Sequence, residues 1–191
     1  MLFNQINLKK KNFLKQGFML FLAAGLLSSC DNDDIEEPDN ENELITTVTL
    51  IMQEEGTPNL VTATLRDPDG PGGNPPTKFD EITLKPNTVY NTSIVLLNES
   101  VNPTEDITEE IEEEAEDHQF FYTPTAGLNV TVAYDDTDDN NLPVGLKTKF
   151  TTGAASAGKV KVTLKHQPGI KNNNIATGDT DVEIDFTTKV Q

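Results

Sequence analysis

The chain has 191 residues, 35% hydrophobic and without tryptophan, which is one domain with a tail and short of two full domains. Its 14 Lys and Arg face 32 Asp and Glu, a net charge of −18, and so acidic a surface repels phosphate backbones and excludes nucleic-acid binding. One Cys and two His are too few for a Cys/His zinc site or an internal disulfide.

The N-terminus reads as an export signal. Lys9, Lys10, Lys11 and Lys15 make a basic stretch, Gly17 to Leu27 an apolar run of 11 residues, and Ser28 and Ser29 precede Cys30. Eleven residues give a helix of roughly 16 Å, too short for a hydrocarbon core of about 30 Å. Leu27-Ser28-Ser29-Cys30 resembles the bacterial lipobox. The resemblance implies that the Cys30 sulfur takes diacylglycerol and that cleavage makes Cys30 the acylated N-terminus, where several acyl chains anchor stably. Residues 31–43 then carry eight acids and one apolar side chain, a composition that cannot offset ordering entropy and predicts an extended, self-repelling tether. An acidic run behind the lipid resembles the surface-export signals of some Gram-negative lipoproteins, which implies the outer membrane.

From Leu44 onward short alternating runs are punctuated by Gly, Pro, Asn and Asp, an all-β texture. Thr46, Val48, Leu50 and Met52 share one face of the first run, Val61, Ala63 and Leu65 one face of the second, and Ile82 and Leu84 that of a third. The 88–98 run is apolar on both faces, Ile94 and Leu96 against Val95 and Leu97, and is expected to be central. Later runs cover 118–123, 128–134, 145–151, 159–166 and 180–190. In the last, Val182, Ile184, Phe186 and Val190 oppose Asp181, Glu183 and Asp185. A row of Lys159, Lys161 and Lys165 beside that acidic row predicts that the last two strands pair. Seven to nine short strands over 44–191 predict one antiparallel β-sandwich domain.

Leu84-Lys85-Pro86-Asn87-Thr88-Val89-Tyr90 resembles the tyrosine corner of fibronectin type III and other immunoglobulin-like sandwiches, which implies that the Tyr90 hydroxyl bonds back to upstream backbone. Glu105 to Asp117 is the one helical stretch: Asp106 and Glu109 fit a capping box, and Ile107, Ile111 and Ala115 share a face. Its glutamates make either a binding face for a basic partner or cations, or a solvated acidic connection.

Glu114, His118 and His166 have the donor types that suit a divalent ion. No HExxH or HxH spacing joins them, and the expectation is two half-buried, hydrogen-bonded histidines. Asp136, Asp138 and Asn140 stand at positions 1, 3 and 5 of a calcium-type loop, but Asn141 takes the glycine position and Lys147 the position of the bidentate Glu. Asp67, Asp69 and Gly72 are likewise incomplete, with Lys78 at the last position; both loops are also ordinary hairpin tips. Neither GxSxG nor a phosphate-binding glycine loop is present, and no catalytic residue or organic cofactor is expected.

Over nearly its whole length the chain is similar to a group of outer-membrane lipoproteins of Gram-negative bacteria. The shared segments are the lipobox, the acidic tether, Ile107 to Glu114 running into His118 to Phe121, Pro143 to Leu146, and Phe150 to Gly153. Such chains are sometimes labelled type 1 periplasmic-binding-fold proteins, a fold of two α/β lobes; one helix and no βαβ rhythm argue for a sandwich instead. The resemblance implies no activity. The expectation is an immunoglobulin-like β-sandwich held at the outer membrane by acyl chains, monomeric and non-enzymatic. It would contact a basic protein or surface ligand through the loops 67–77, 135–143 and 167–179. The alternative is a periplasm-facing solute- or metal-binding lipoprotein.

Overall fold

A computed structural model describes residues 44–191 apart from Pro71, so the expected signal, the expected lipidation at Cys30 and the expected acidic tether lie outside the described residues. The sequence periodicities become eleven strands in two sheets. The larger contains β1 (Thr47–Glu54), β2 (Leu60–Arg66), β3 (Lys78–Phe79), β5 (Val89–Asn98), β6 (Glu105–Asp106), β8 (Val130–Tyr134) and β9 (Lys147–Thr152). The smaller contains β4 (Ile82–Leu84), β7 (His118–Pro124), β10 (Ser156–His166) and β11 (Asp179–Val190). The order β1-β5-β9-β8 opposite β7-β10-β11 is that of an immunoglobulin-type sandwich, with these seven strands at the positions A to G. The count exceeds the expected seven to nine because β3 and β6 are two-residue strands, too short to leave a periodicity.

The alternating residues form one core between the sheets. Val48, Leu50, Met52, Ile94, Leu96 and Phe150 meet Ile82, Leu84, Phe120, Val160, Val162, Leu164 and Phe186, all at most 2% exposed. The doubly apolar β5 is central, paired with β1 on one side and β9 on the other. β10 and β11 pair as expected, with Lys161 on Glu183 at 2.6 Å and Lys159 near Asp185 at 3.7 Å. Lys165 departs from that exposed row: it is buried, and its ammonium donates to Thr180 Oγ1 at 2.9 Å. The cause is a β-bulge at Leu164/Lys165, where Leu164 pairs with Val182 and Lys165 with Thr180, so Asp181 is the extra residue.

The Leu84–Tyr90 motif forms the corner where the chain crosses from β4 in one sheet to β5 in the other. Buried Tyr90 accepts a hydrogen bond on its hydroxyl from the Lys85 N–H at 2.9 Å, as the resemblance implied. Tyr90→Phe should lower stability by about 1 kcal/mol, because it removes only the acceptor; an unchanged urea midpoint would show that the corner needs no latch.

The acidic stretch is a helix only over Ile107–Glu113 (α1), since Glu105 and Asp106 are taken by β6. Asp106 caps it by accepting from the Thr108 N–H at 3.0 Å. Thr108 Oγ1 both accepts from the Leu96 N–H and donates to the Leu96 carbonyl, at 2.9 and 3.2 Å. β9 covers β5 only from Val89 to Ser93, and β6 with Thr108 continues along the edge that β9 leaves. Ile107 and Ile111 are buried beneath. The helix is therefore held by the sandwich, as its charge requires.

Candidate metal and ligand site at one pole of the sandwich

The strand registers collect the functional candidates at one end. β1 begins there, opposite the ends of β2 and β5; β7 begins where β10 ends; and β8 ends where β9 begins. The loops 67–77, 107–117, 135–146 and 167–178 thus all leave the same pole, which is also where the described chain enters.

Three of these loops are bolted together by a cation that sequence reading passed over. Lys171, in the β10–β11 loop, donates to the Ala115 carbonyl at 2.7 Å and to Asp138 Oδ2 at 2.8 Å, its side chain 3% exposed and that of Asp138 fully enclosed. Burial pushes the Asp138 carboxyl up, but Lys171 and the amides of Leu142 and Asn140 outweigh it and hold the group below the usual carboxylate value. Gln167, also missed, braces the loop from within, donating to the carbonyls of Asn174 and Thr177 at 3.0 and 2.9 Å. A second tie crosses between the sheets. Tyr122 donates to the Gly145 carbonyl at 2.7 Å and Tyr134 to the Phe120 carbonyl at 2.8 Å. Gly145 has φ +89 and lies against Phe120 and Tyr134, so no side chain fits there; this explains the Pro143-Val144-Gly145-Leu146 turn.

Asp136, Asp138 and Asn140 are built into these ties. Asp136 accepts from the Gly145 and Lys147 amides at 2.7 and 2.8 Å. Asp138 Oδ1 accepts from the Asn140 and Leu142 amides, both at 2.9 Å, and its Oδ2 holds Lys171. Protein donors thus engage the carboxylate oxygens of Asp136 and Asp138 that the calcium-type spacing would offer. Asp69, in the other such loop, accepts from the Asn74 amide and side chain at 2.8 and 2.7 Å.

Beside them opens a cleft of about 450 Å³. Its walls carry Glu112, Glu113, Glu114, Glu116, Asp117, Asp136, Asp138 and Asp139 against Lys147. On the adjoining helix the Glu110 carboxyl is pushed up by partial burial and by Glu105, Glu114, Glu113 and Asp106, the mark of a negative field that the protein does not itself neutralise.

Where Glu114 ends this wall, the fold brings together the donors that spacing left apart. His118 begins β7, His166 ends β10, and the two are direct cross-strand partners. Their rings stack with centroids 4.6 Å apart and planes 6° from parallel. Glu114, His118 and His166 each offer a ligand atom, all within 4.8 Å of one another. His118 is buried and not merely half-buried, at 3% exposure, and its Nδ1 lies 3.2 Å from the Glu114 carbonyl oxygen. Burial lowers its pKa, the neighbouring His166 adds to this, and the Glu114 carbonyl opposes it, so the neutral imidazole is favoured. The bulge residue Asp181 feels both imidazoles; burial pushes its carboxyl up, against their pull downward. Its Oδ2 is buried with no hydrogen-bond partner among the described residues.

Gly178 fixes this corner. With φ +70 it lies against the His166 carbonyl so closely that a Cβ would collide with backbone. Gly178→Ala should therefore displace the 167–178 loop and lower stability by about 1–3 kcal/mol; a full-strength variant with unshifted histidine resonances would contradict this packing. No protein-family model, curated protein or solved structure matches the chain.

Proposed function

We propose that the chain is a lipid-anchored envelope lipoprotein of the outer membrane whose sandwich is a non-enzymatic binding module. Its ligand surface is the loop pole. The supporting observation is the cleft there, lined by eight acidic residues of the 107–117 and 135–146 segments and rigidified by the Asp138–Lys171 pair. Such a surface suits a basic protein segment or another cationic surface ligand and steers it electrostatically. Exposed Ile170 and Ile175 on the β10–β11 loop add apolar contact area. Among the described residues no helix is long and apolar enough to cross a membrane; the anchor in this reading is acylated Cys30, on the strength of Leu27-Ser28-Ser29-Cys30. Residues 30–43 would then set the reach, at most about 50 Å when fully extended.

A second reading, a periplasm-facing metal- or solute-binding lipoprotein, is favoured by the convergence of Glu114, His118 and His166. The expected result for the first is that full-length chain incorporates radiolabelled palmitate, that Cys30→Ala abolishes labelling and releases the domain from the membrane fraction, and that proteinase K removes the domain from intact cells. Labelled chain that stays protected until the outer membrane is opened would turn the domain inward. Unlabelled, soluble chain would overturn lipid anchoring altogether.

A further inference from the structure

We infer that Glu114, His118 and His166 form a site for one divalent transition-metal ion, Zn(II) or Cu(II) in type, with the Asp181 carboxyl beside them adding charge. The inference is independent of where the domain is held. Two imidazoles and a carboxylate are borderline donors, which favour these ions over Ca(II) or Mg(II). Placement is secured by strand pairing: directly opposed residues in antiparallel strands have Cβ atoms about 4.5–5.5 Å apart, and β7 and β10 pair His118 with His166. Glu114 stands four residues before His118, in the turn that follows α1, its Oε2 3.8 Å from His118 Nδ1.

Charge balance points the same way. Two carboxyl groups beside two imidazoles make a donor set whose negative charge a divalent ion offsets. Asp181 Oδ2 is buried without a hydrogen-bond partner among the described residues, a polar atom that a nearby cation would satisfy. Both carboxylates act on one half-enclosed corner, so an ion is held by charge as well as by ligation.

The rings stack 6° from parallel, so ligation of one ion requires them to move. A tetrahedral ion with bonds of about 2.05 Å needs donor atoms about 3.3 Å apart. The three donors, within 4.8 Å of one another, close by up to about 1.5 Å and the rings tilt out of their 6° stack. Glu114 is free to follow, since its side chain is 57% exposed.

The test uses full-length chain carrying Cys30→Ser, so that no thiol competes, in equilibrium dialysis against Zn(II), with Co(II) as a visible-absorption probe. One tight equivalent per chain is expected. His118→Gln and His166→Gln should each weaken it about 10- to 100-fold, the loss that removing even an outer-shell partner produces. Asp181→Asn should weaken it less. Because His118 is buried, the unsubstituted imidazoles supply a readout that needs no variant there. The sequence holds two histidines, and both sets of ring resonances should move together and saturate at one equivalent. Absence of tight binding would overturn the site, as would an equivalent bound with the histidine resonances unmoved, which would instead place the ion among the carboxylates of the cleft.

Discussion

Lys171→Ala should destabilise the domain by about 3–5 kcal/mol, because it leaves the Asp138 carboxylate buried without its counter-ion. Lys171 is the cation of a pair at 2.8 Å whose side chains are 3% and 0% exposed, and it also satisfies the Ala115 carbonyl. Removing one partner of such a pair costs far more than removing both. Lys171→Met with Asp138→Asn should recover most of the loss, since Asn keeps an oxygen for the Asn140 and Leu142 amides. The acid limb gives a second check. In the native chain the Asp138 pKa is depressed below the ordinary 3.8, so its contribution is complete above that pH and drains away as pH falls through the folded value. In Lys171→Ala, burial without the ammonium raises that value and acid unfolding should begin at higher pH. Guanidinium titrations from pH 2 to 7 measure both effects. A loss under about 1 kcal/mol, the range of an exposed pair, would show that the loops are held by their other bonds. The variant also releases the segment that ends in Glu114, so metal affinity should fall with it.

Phe186→Ala is expected to cost about 3–5 kcal/mol through the cavity it leaves between the sheets. The ring is fully buried on β11, at the pairing with Val160 of β10. It meets Phe79 of the opposite sheet edge-on, with centroids 5.6 Å apart at 76°. Phe79 is itself 52% exposed, so Phe79→Ala should cost only about 0.5–1.5 kcal/mol, the value of an aromatic pair. Thermal unfolding of the two variants separates these terms. Equal losses would mean that the contact between sheets, and not the filled core, carries the stability.

Much of this was written locally in the sequence. Alternation in residues 46–52 and 182–190 names the buried face of each strand, because a strand has a period of two whatever it pairs with. The Tyr90 corner and the Asp106 cap are likewise legible, since each is closed by bonds within five residues. The two-residue strands β3 and β6 were not, being defined by their partners alone. Nor was the burial of Lys165, which depends on a bulge in a ladder whose partner strand lies further along the chain.

The candidate site divides on the same line. Sequence by itself determined the inventory: an acidic domain, two histidines, carboxylates crowded at 105–117 and 135–139, and loops where a sandwich binds. It also supplied Leu27-Ser28-Ser29-Cys30, whose resemblance to a lipobox needs no fold to be read. Only the tertiary structure decided which of these meet. His118 and His166 are 48 residues apart, and the register of β7 on β10 makes them neighbours; a slip of one residue would turn one of them to the opposite face. The calcium-type spacing at 136–140 is genuine as spacing, yet the fold commits Asp138 to a lysine 33 residues away. Spacing states which ligands the backbone could present together. Packing decides which are already taken, because burying a carboxylate forces it to find the nearest donor, and that donor is chosen by the sheets.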